Sequence, residues 1–132
     1  MTINYPDKKI LIVDDDENII NLYSTKLKNL GFQVFTAVDA ASAQSQLSGG
    51  LVPDVMLLDI IMPNLNGIEF LNKLRANTAY DHMLVYLLSN LDRRSDLDDD
   101  FKKKIQGYFV KADIIPSALA TTLIEDLEKK SS

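Results

Sequence analysis

The chain has 132 residues, 46% of them hydrophobic, enough for one domain with a buried core and too short for two ordinary ones. Its 14 Lys and Arg against 19 Asp and Glu give a formal charge of −5, which offers no basic footprint for nucleic acid and disfavours an anionic membrane surface. With no cysteine, disulfides, thiolate catalysis and Cys-ligated metal sites are excluded, and the lone His82, in the polar stretch AYDHM, is expected at the surface.

Residues 1–8 form a lead-in without the apolar region of a secretory signal, and no run approaches the roughly 18 apolar residues of a membrane span, so a soluble cytoplasmic protein is expected. An apolar strand over 9–14 stops at the acids DDDE. Ile20, Tyr23, Leu27 and Leu30 then recur at the spacing of one helix face, ended by Gly31. FQVFTA (32–37) has the mixed character of an edge strand, and Asp39 is a good N-cap for a short helix over AASAQSQL, closed by Gly49 and Gly50. PDVMLLD is almost continuously apolar, which suits a strand buried on both faces. A helix over 67–76 and a buried strand over 84–88 follow.

The charged segment 92–106 carries Leu97, Phe101 and Ile105 four apart, which predicts a helix with a narrow apolar stripe. Its DDD precedes its KKK, so both dipole and i,i+4 pairing (Asp98–Lys102, Asp99–Lys103, Asp100–Lys104) favour a solvated helix face over a second metal site. Strand GYFVK (107–111) and a helix from Pro116, with Leu119, Leu123 and Leu127 in register, complete the chain.

Five strands alternating with five helices predict an α/β fold: a doubly wound parallel sheet covered on both faces. Ligands in such sheets sit outside the carboxyl ends of the strands. Asp14 to Asp16, Asp59, Ser89 and Lys111 all fall at such ends, so one crevice should hold them. Gathering Asp14, Asp15 and Asp59 is unfavourable without a cation, and their oxygens suit a hard divalent ion, best Mg²⁺. A carboxylate beside Mg²⁺ can act as a nucleophile toward phosphorus, with Lys111 and Ser89 as partners for a phosphoryl group. Neither GxxxxGK[ST] nor GxGxxG is present to bind a nucleotide.

ILIVDDDE, LLDIIMPNLNG, LLSN and YFVK, in that order, resemble the receiver domains of two-component response regulators, in particular the stand-alone type of chemotaxis receivers. The resemblance implies a flavodoxin-like sheet of order 2-1-3-4-5, with the receiver spanning 9–130. It implies that Asp59 accepts a phosphoryl group from a histidine kinase or histidine phosphotransfer protein. Asp15 would ligate Mg²⁺ directly, Asp14 mainly through water, and the Ile61 carbonyl and Asp59 would complete the protein ligands. Ser89 and Lys111 would bind the phosphoryl oxygens, Ser89 and Tyr108 would form the switch, and Pro63 and Gly67 would shape the loop after Asp59. A downstream protein would read the face of the fourth helix, fifth strand and fifth helix. Asp16 and Glu17 look instead like the start of the first helix.

Three positions depart from the family. Ala112 stands where the family has proline after a cis bond; a cis bond before alanine costs about 3 kcal/mol, so a trans peptide or a strained loop is expected. Asn90 is bulkier than the usual residue beside the hydroxyl position, and apolar Ile61 and Leu91 imply slow loss of the phosphoryl group by hydrolysis. Two other functions fit the composition. A Mg²⁺-dependent phosphatase with an aspartate nucleophile would need a second carboxylate two positions on, where Ile61 stands. A receiver-shaped interaction module that is never phosphorylated would have no use for all five of Asp14, Asp15, Asp59, Ser89 and Lys111. So little sequence follows the last helix that no effector domain is expected on this chain, which is either a stand-alone receiver or a part of a longer regulator or hybrid kinase.

Overall fold

The computed structural model describes residues 8–62, 65–90, 95 and 97–131, with backbone alone at 61, 62, 65, 66 and 131. Its main elements are β1 (Lys9–Val13), α1 (Glu17–Asn29), β2 (Gln33–Ala37), α2 (Ala40–Ser48), β3 (Val55–Asp59), α3 (Gly67–Arg75), β4 (Leu84–Ser89), α4 (Asp99–Lys102), β5 (Gly107–Val110) and α5 (Pro116–Ser131). Between β3 and α3, Ile61–Met62 and Leu65–Asn66 form a two-residue antiparallel pair.

The five strands make one parallel sheet in the order β2-β1-β3-β4-β5. Alternation along each strand divides the core in two, because successive side chains leave a strand on opposite faces. Leu11, Val13, Met56, Leu58, Val85 and Leu87 meet Ala43 and Leu47 of α2, Leu71 and Leu74 of α3, and Phe101. Ile10, Ile12, Val55, Leu57, Tyr86 and Leu88 meet Tyr23 and Leu27 of α1 and Leu119, Leu123 and Leu127 of α5. The three central strands are therefore apolar on both faces, as continuous apolar runs require.

Helix ends follow local chemistry. Asp16 caps α1 by accepting from the amides of Asn18 (3.0 Å) and Ile19 (3.4 Å), and Asp39 caps α2 by accepting from Ser42 (2.7 Å). At the other end of α1, Gly31 (φ 97°) donates to Lys28 O and Phe32 donates to Leu27 O, the paired bonds of a Schellman ending that needs the left-handed residue. His82 lies at the surface, as expected.

The expectation of a helix over 92–106 is corrected. Residues 92–94 and 96 lie outside the described residues, and the helix described there is only Asp99–Lys102. Lys102 meets Asp98 through the backbone, its amide donating to the Asp98 carbonyl at 3.1 Å, and not through an ion pair: the Asp98 carboxylate caps the helix by accepting from the Phe101 amide at 2.7 Å. Asp100 pairs with Lys103 at 3.9 Å, three residues away and in solvent, while Lys104 reaches Asn72 of α3 at 2.7 Å. Leu97 and Phe101 are buried as the apolar stripe required, so side-chain burial survived where helix length did not.

Candidate functional site

Parallel register builds the site. Val13 pairs with Leu58, so the next residue of each strand, Asp14 and Asp59, are neighbours. Asp59 pairs with Leu88, one step before Ser89, and Ser89 pairs with Val110, one step before Lys111. The Lys111 amide then donates to Ser89 O at 2.8 Å, carrying the ladder one residue past the strand. No cis peptide occurs among the described residues, so Lys111–Ala112 is trans and the lysine still reaches the site.

Lys111 Nζ lies 2.7 Å from Asp14 Oδ2 and 3.0 Å from Asp59 Oδ2, bridging the two acids. All three groups are withdrawn from water: Asp14 is 0% and Asp59 3% exposed, and the Lys111 side chain 5%. The Asp16 amide donates to Asp14 Oδ1 at 2.9 Å. Asp14 Oδ2 meets the ammonium off any hydrogen-bond axis, and is the one buried side-chain polar atom among the described residues without an aligned donor. Burial pushes the Asp14 carboxyl up to about 6, opposed by Lys111 and the Asp16 amide and reinforced by the Asp59 charge. Burial alone would lower the Lys111 ammonium, but the close carboxylates of Asp14 and Asp59 outweigh it, and the group ends above its ordinary value.

Asp15 is exposed at the rim, and ligand oxygens of Asp14, Asp15 and Asp59 lie within 4.8 Å of one another. Three carboxylates against one ammonium leave a local excess of negative charge. An all-oxygen donor set, an unaligned buried oxygen and a resting lysine standing between two acids are what a hard divalent cation would fit.

Of the residues singled out from sequence, Asp14, Asp15, Asp59 and Lys111 converge. Ser89 is fully buried at the end of β4, with its backbone tied to Lys111. Tyr108, on edge strand β5, is half-buried against the α2–α4 side of the core. Ile61 lies two residues beyond Asp59 in the short antiparallel pair, and its side chain, Pro63 and Leu91 lie outside the described residues. Asn90 is exposed, and Asp16 is a helix cap rather than a member of the cluster. Gly67 has a steric reason: a Cβ there would stand 2.9 Å from the Ile60 Cα, so α3 can start against the peptide after Asp59 only without a side chain. Tyr23, which its spacing assigned only to the face of α1, also feels the site. Burial raises its phenol, the Asp14 charge adds to this, and Lys111 opposes it.

The response regulator receiver domain model matches residues 10–122. The chain is 36% identical to the response regulator PleD of Caulobacter vibrioides over 88 residues, 67% of this chain and 19% of PleD, so it spans only a fraction of that relative. It is 31% identical to protein PilG of Pseudomonas aeruginosa over 99 residues, 75% of this chain and 70% of PilG. The chemotaxis response regulator CheY4 of Vibrio cholerae superposes with a TM-score of 0.77 at 28% identity, covering 89% of this chain and 97% of that one. With the sheet order, the acidic cluster and the bridging lysine in place, the chain belongs to the response regulator receiver domains.

Proposed function

We propose that this receiver takes a phosphoryl group onto Asp59 from a histidine kinase or histidine phosphotransfer protein, and that the modified site changes which partner its surface binds. The observation that carries this reading is Lys111 bridging Asp14 and Asp59 beside the exposed carboxylate of Asp15. Asp15 and Asp59, with Asp14 through water and the Ile61 carbonyl, would hold Mg²⁺, which supplies neutralisation of the charge on the transferring group.

The residues of the chain do the rest. An Asp59 carboxylate oxygen forms the new bond to phosphorus as the bond to the donor imidazole breaks, its electron pair staying on the imidazole nitrogen. Lys111 exchanges its contact with Asp59 Oδ2 for a phosphoryl oxygen, and the Ser89 hydroxyl donates to another. Burial of Asp59 keeps bulk water from the acyl phosphate. The new contacts favour one of two arrangements of the segment after Ser89, and Tyr108 turns inward into the space so made. A protein partner reads the surface of α4, β5 and α5; no role for nucleic acid or a membrane surface is assigned to this chain. Among the described residues no helix is long and apolar enough to cross a membrane.

Incubation with acetyl phosphate and Mg²⁺, followed by intact-mass measurement, tests the reading. The wild type gains one phosphoryl group and the Asp59→Asn variant gains none. Equal labelling of both, or steady turnover of small phosphate esters without a labelled protein, would overturn it, the second outcome in favour of a phosphatase.

A further inference from the structure

Arg75, the last residue of α3, lies outside the phosphoacceptor site, yet it makes an unusual number of specific bonds. Its Nε and Nη2 donate to Lys104 O at 3.1 and 2.8 Å, Nη1 to Tyr80 O at 2.8 Å, and Nη2 also to Met83 O at 2.8 Å. One planar guanidinium thus ties together α3, the turn leading into β4, and the turn leading into β5. Lys104 is held a second time, from its side chain, whose Nζ donates to Asn72 Oδ1 at 2.7 Å. Asn72 and Arg75 are three apart on one helix and so share a face.

Lys104 follows α4 by two residues and precedes β5 by three, and its own amide closes the α4 turn onto Phe101 O at 2.9 Å. Two residues on, the Gln106 amide donates to Val85 O at 2.7 Å, opening the β5 ladder. α3 itself starts against the peptide beyond Asp59, through the close approach of Gly67 to Ile60. The same helix therefore abuts the phosphoacceptor loop at one end and grips the chain beyond α4 at the other.

We propose that Arg75, assisted by Asn72, is the positioning residue that sets the far boundary of the switch, pinning the chain at Lys104 so that a rearrangement begun at Ser89 ends before β5. This rests on the phosphoacceptor reading above and adds regulation to it. With Lys104 fixed, α4 can shift while the β5 backbone stays in register with β4, so Tyr108 changes side-chain position without carrying Lys111 away from Asp59. The need is for a fork of donors rather than for charge, since a lysine offers one point of contact where three carbonyls converge.

The test is amide hydrogen exchange on the whole chain, with and without acetyl phosphate and Mg²⁺, in the wild type and in Arg75→Met, Arg75→Lys and Asn72→Ala. In the wild type, the change on phosphorylation is expected to stop before Lys104. In Arg75→Met the resting amides of Lys104 and Gln106 exchange about tenfold faster or more, phosphoryl uptake by mass is retained, and the change extends into β5. Arg75→Lys behaves like Arg75→Met, and Asn72→Ala shows a smaller shift in the same direction, which serves if the arginine variants fold poorly. A change that runs undiminished through Lys104 in the wild type, or a boundary unmoved in the variants, overturns the proposal. Absence of phosphoryl uptake by the wild type would instead refute the phosphoacceptor reading; the anchor is then decided by the resting exchange of Lys104 and Gln106, faster in the variants if it exists and unchanged if it does not.

Discussion

Lys111 is the counter-ion on which the resting carboxylates depend. Replacing it by methionine leaves Asp14 and Asp59 facing each other, both buried, with no cation between them. Breaking a buried pair from one side costs about 3–5 kcal/mol. Denaturant unfolding in the presence of a chelator should show a loss of that size for Lys111→Met, partly recovered on adding Mg²⁺; a loss below about 1 kcal/mol would mean that the bridge is not holding the site. Asp14 gives a pH dependence of unusual sign. Its carboxyl sits near 6 when folded, against an ordinary 3.8, so between these values the folded metal-free protein holds a proton that the unfolded chain does not. The contribution of Asp14 to stability therefore rises as pH falls through 6 toward 4, the reverse of an acid whose salt bridge outweighs its burial. Relative to Asp14→Asn, the wild type should gain on the order of 2 kcal/mol between pH 7 and pH 4 in chelator, and a difference that stays flat or shrinks would contradict the burial argument. That Asp14, Asp59 and Lys111 meet was legible, because each closes an apolar strand and such ends share an edge. The raised Asp14 carboxyl was not, because it depends on what covers the group, and that is decided by residues distant in sequence.

At the scale of elements, local chemistry was legible where it was decisive. Asp16, Asp39 and Gly31 sit where capping rules place them, since a cap bonds within three residues of itself. The segment 92–106 misled for a related reason. Charges four apart suggest helix pairs, but the Asp98 carboxylate also fits the Phe101 amide, and that cap opens a short helix at Asp99. The contacts that hold the chain beyond it, from Arg75 and Asn72 to Lys104, span 29 and 32 residues and left no periodic trace. Arg75 in sequence looks only like a base suited to a helix C-terminus. The junction between β3 and α3 gives a sharper test. In Gly67→Ala the new methyl group would press on the Ile60 backbone, displacing the peptide next to Asp59. Overpacking of this kind costs about 1–3 kcal/mol, and phosphoryl uptake from acetyl phosphate should slow well beyond the change in stability. A Gly67→Ala protein that labels at the wild-type rate would show that the loop tolerates the shift.

For the whole molecule, the alternation of strands and helices placed the site, while the order of the strands followed from the family resemblance. Alternating strands and helices force parallel pairing, parallel pairing puts every carboxyl end on one side, and the apolar runs of β1, β3 and β4 demand cover on both faces. Those steps lead from residue types to a crevice holding Asp14, Asp59, Ser89 and Lys111, without any distance being known. What they could not supply is the resting state of that crevice, where Lys111 lies between two acids that a metal would also seek. Whether a divalent cation joins these carboxylates in the working protein is decided by titrating Mg²⁺ into metal-free protein by calorimetry. One Mg²⁺ should bind per chain, with the folded state stabilised by about 2.7 kcal/mol at a hundredfold excess over the dissociation constant, and the binding should be lost in Asp15→Asn. Absence of saturable binding in the wild type, or undiminished binding in the variant, would contradict it.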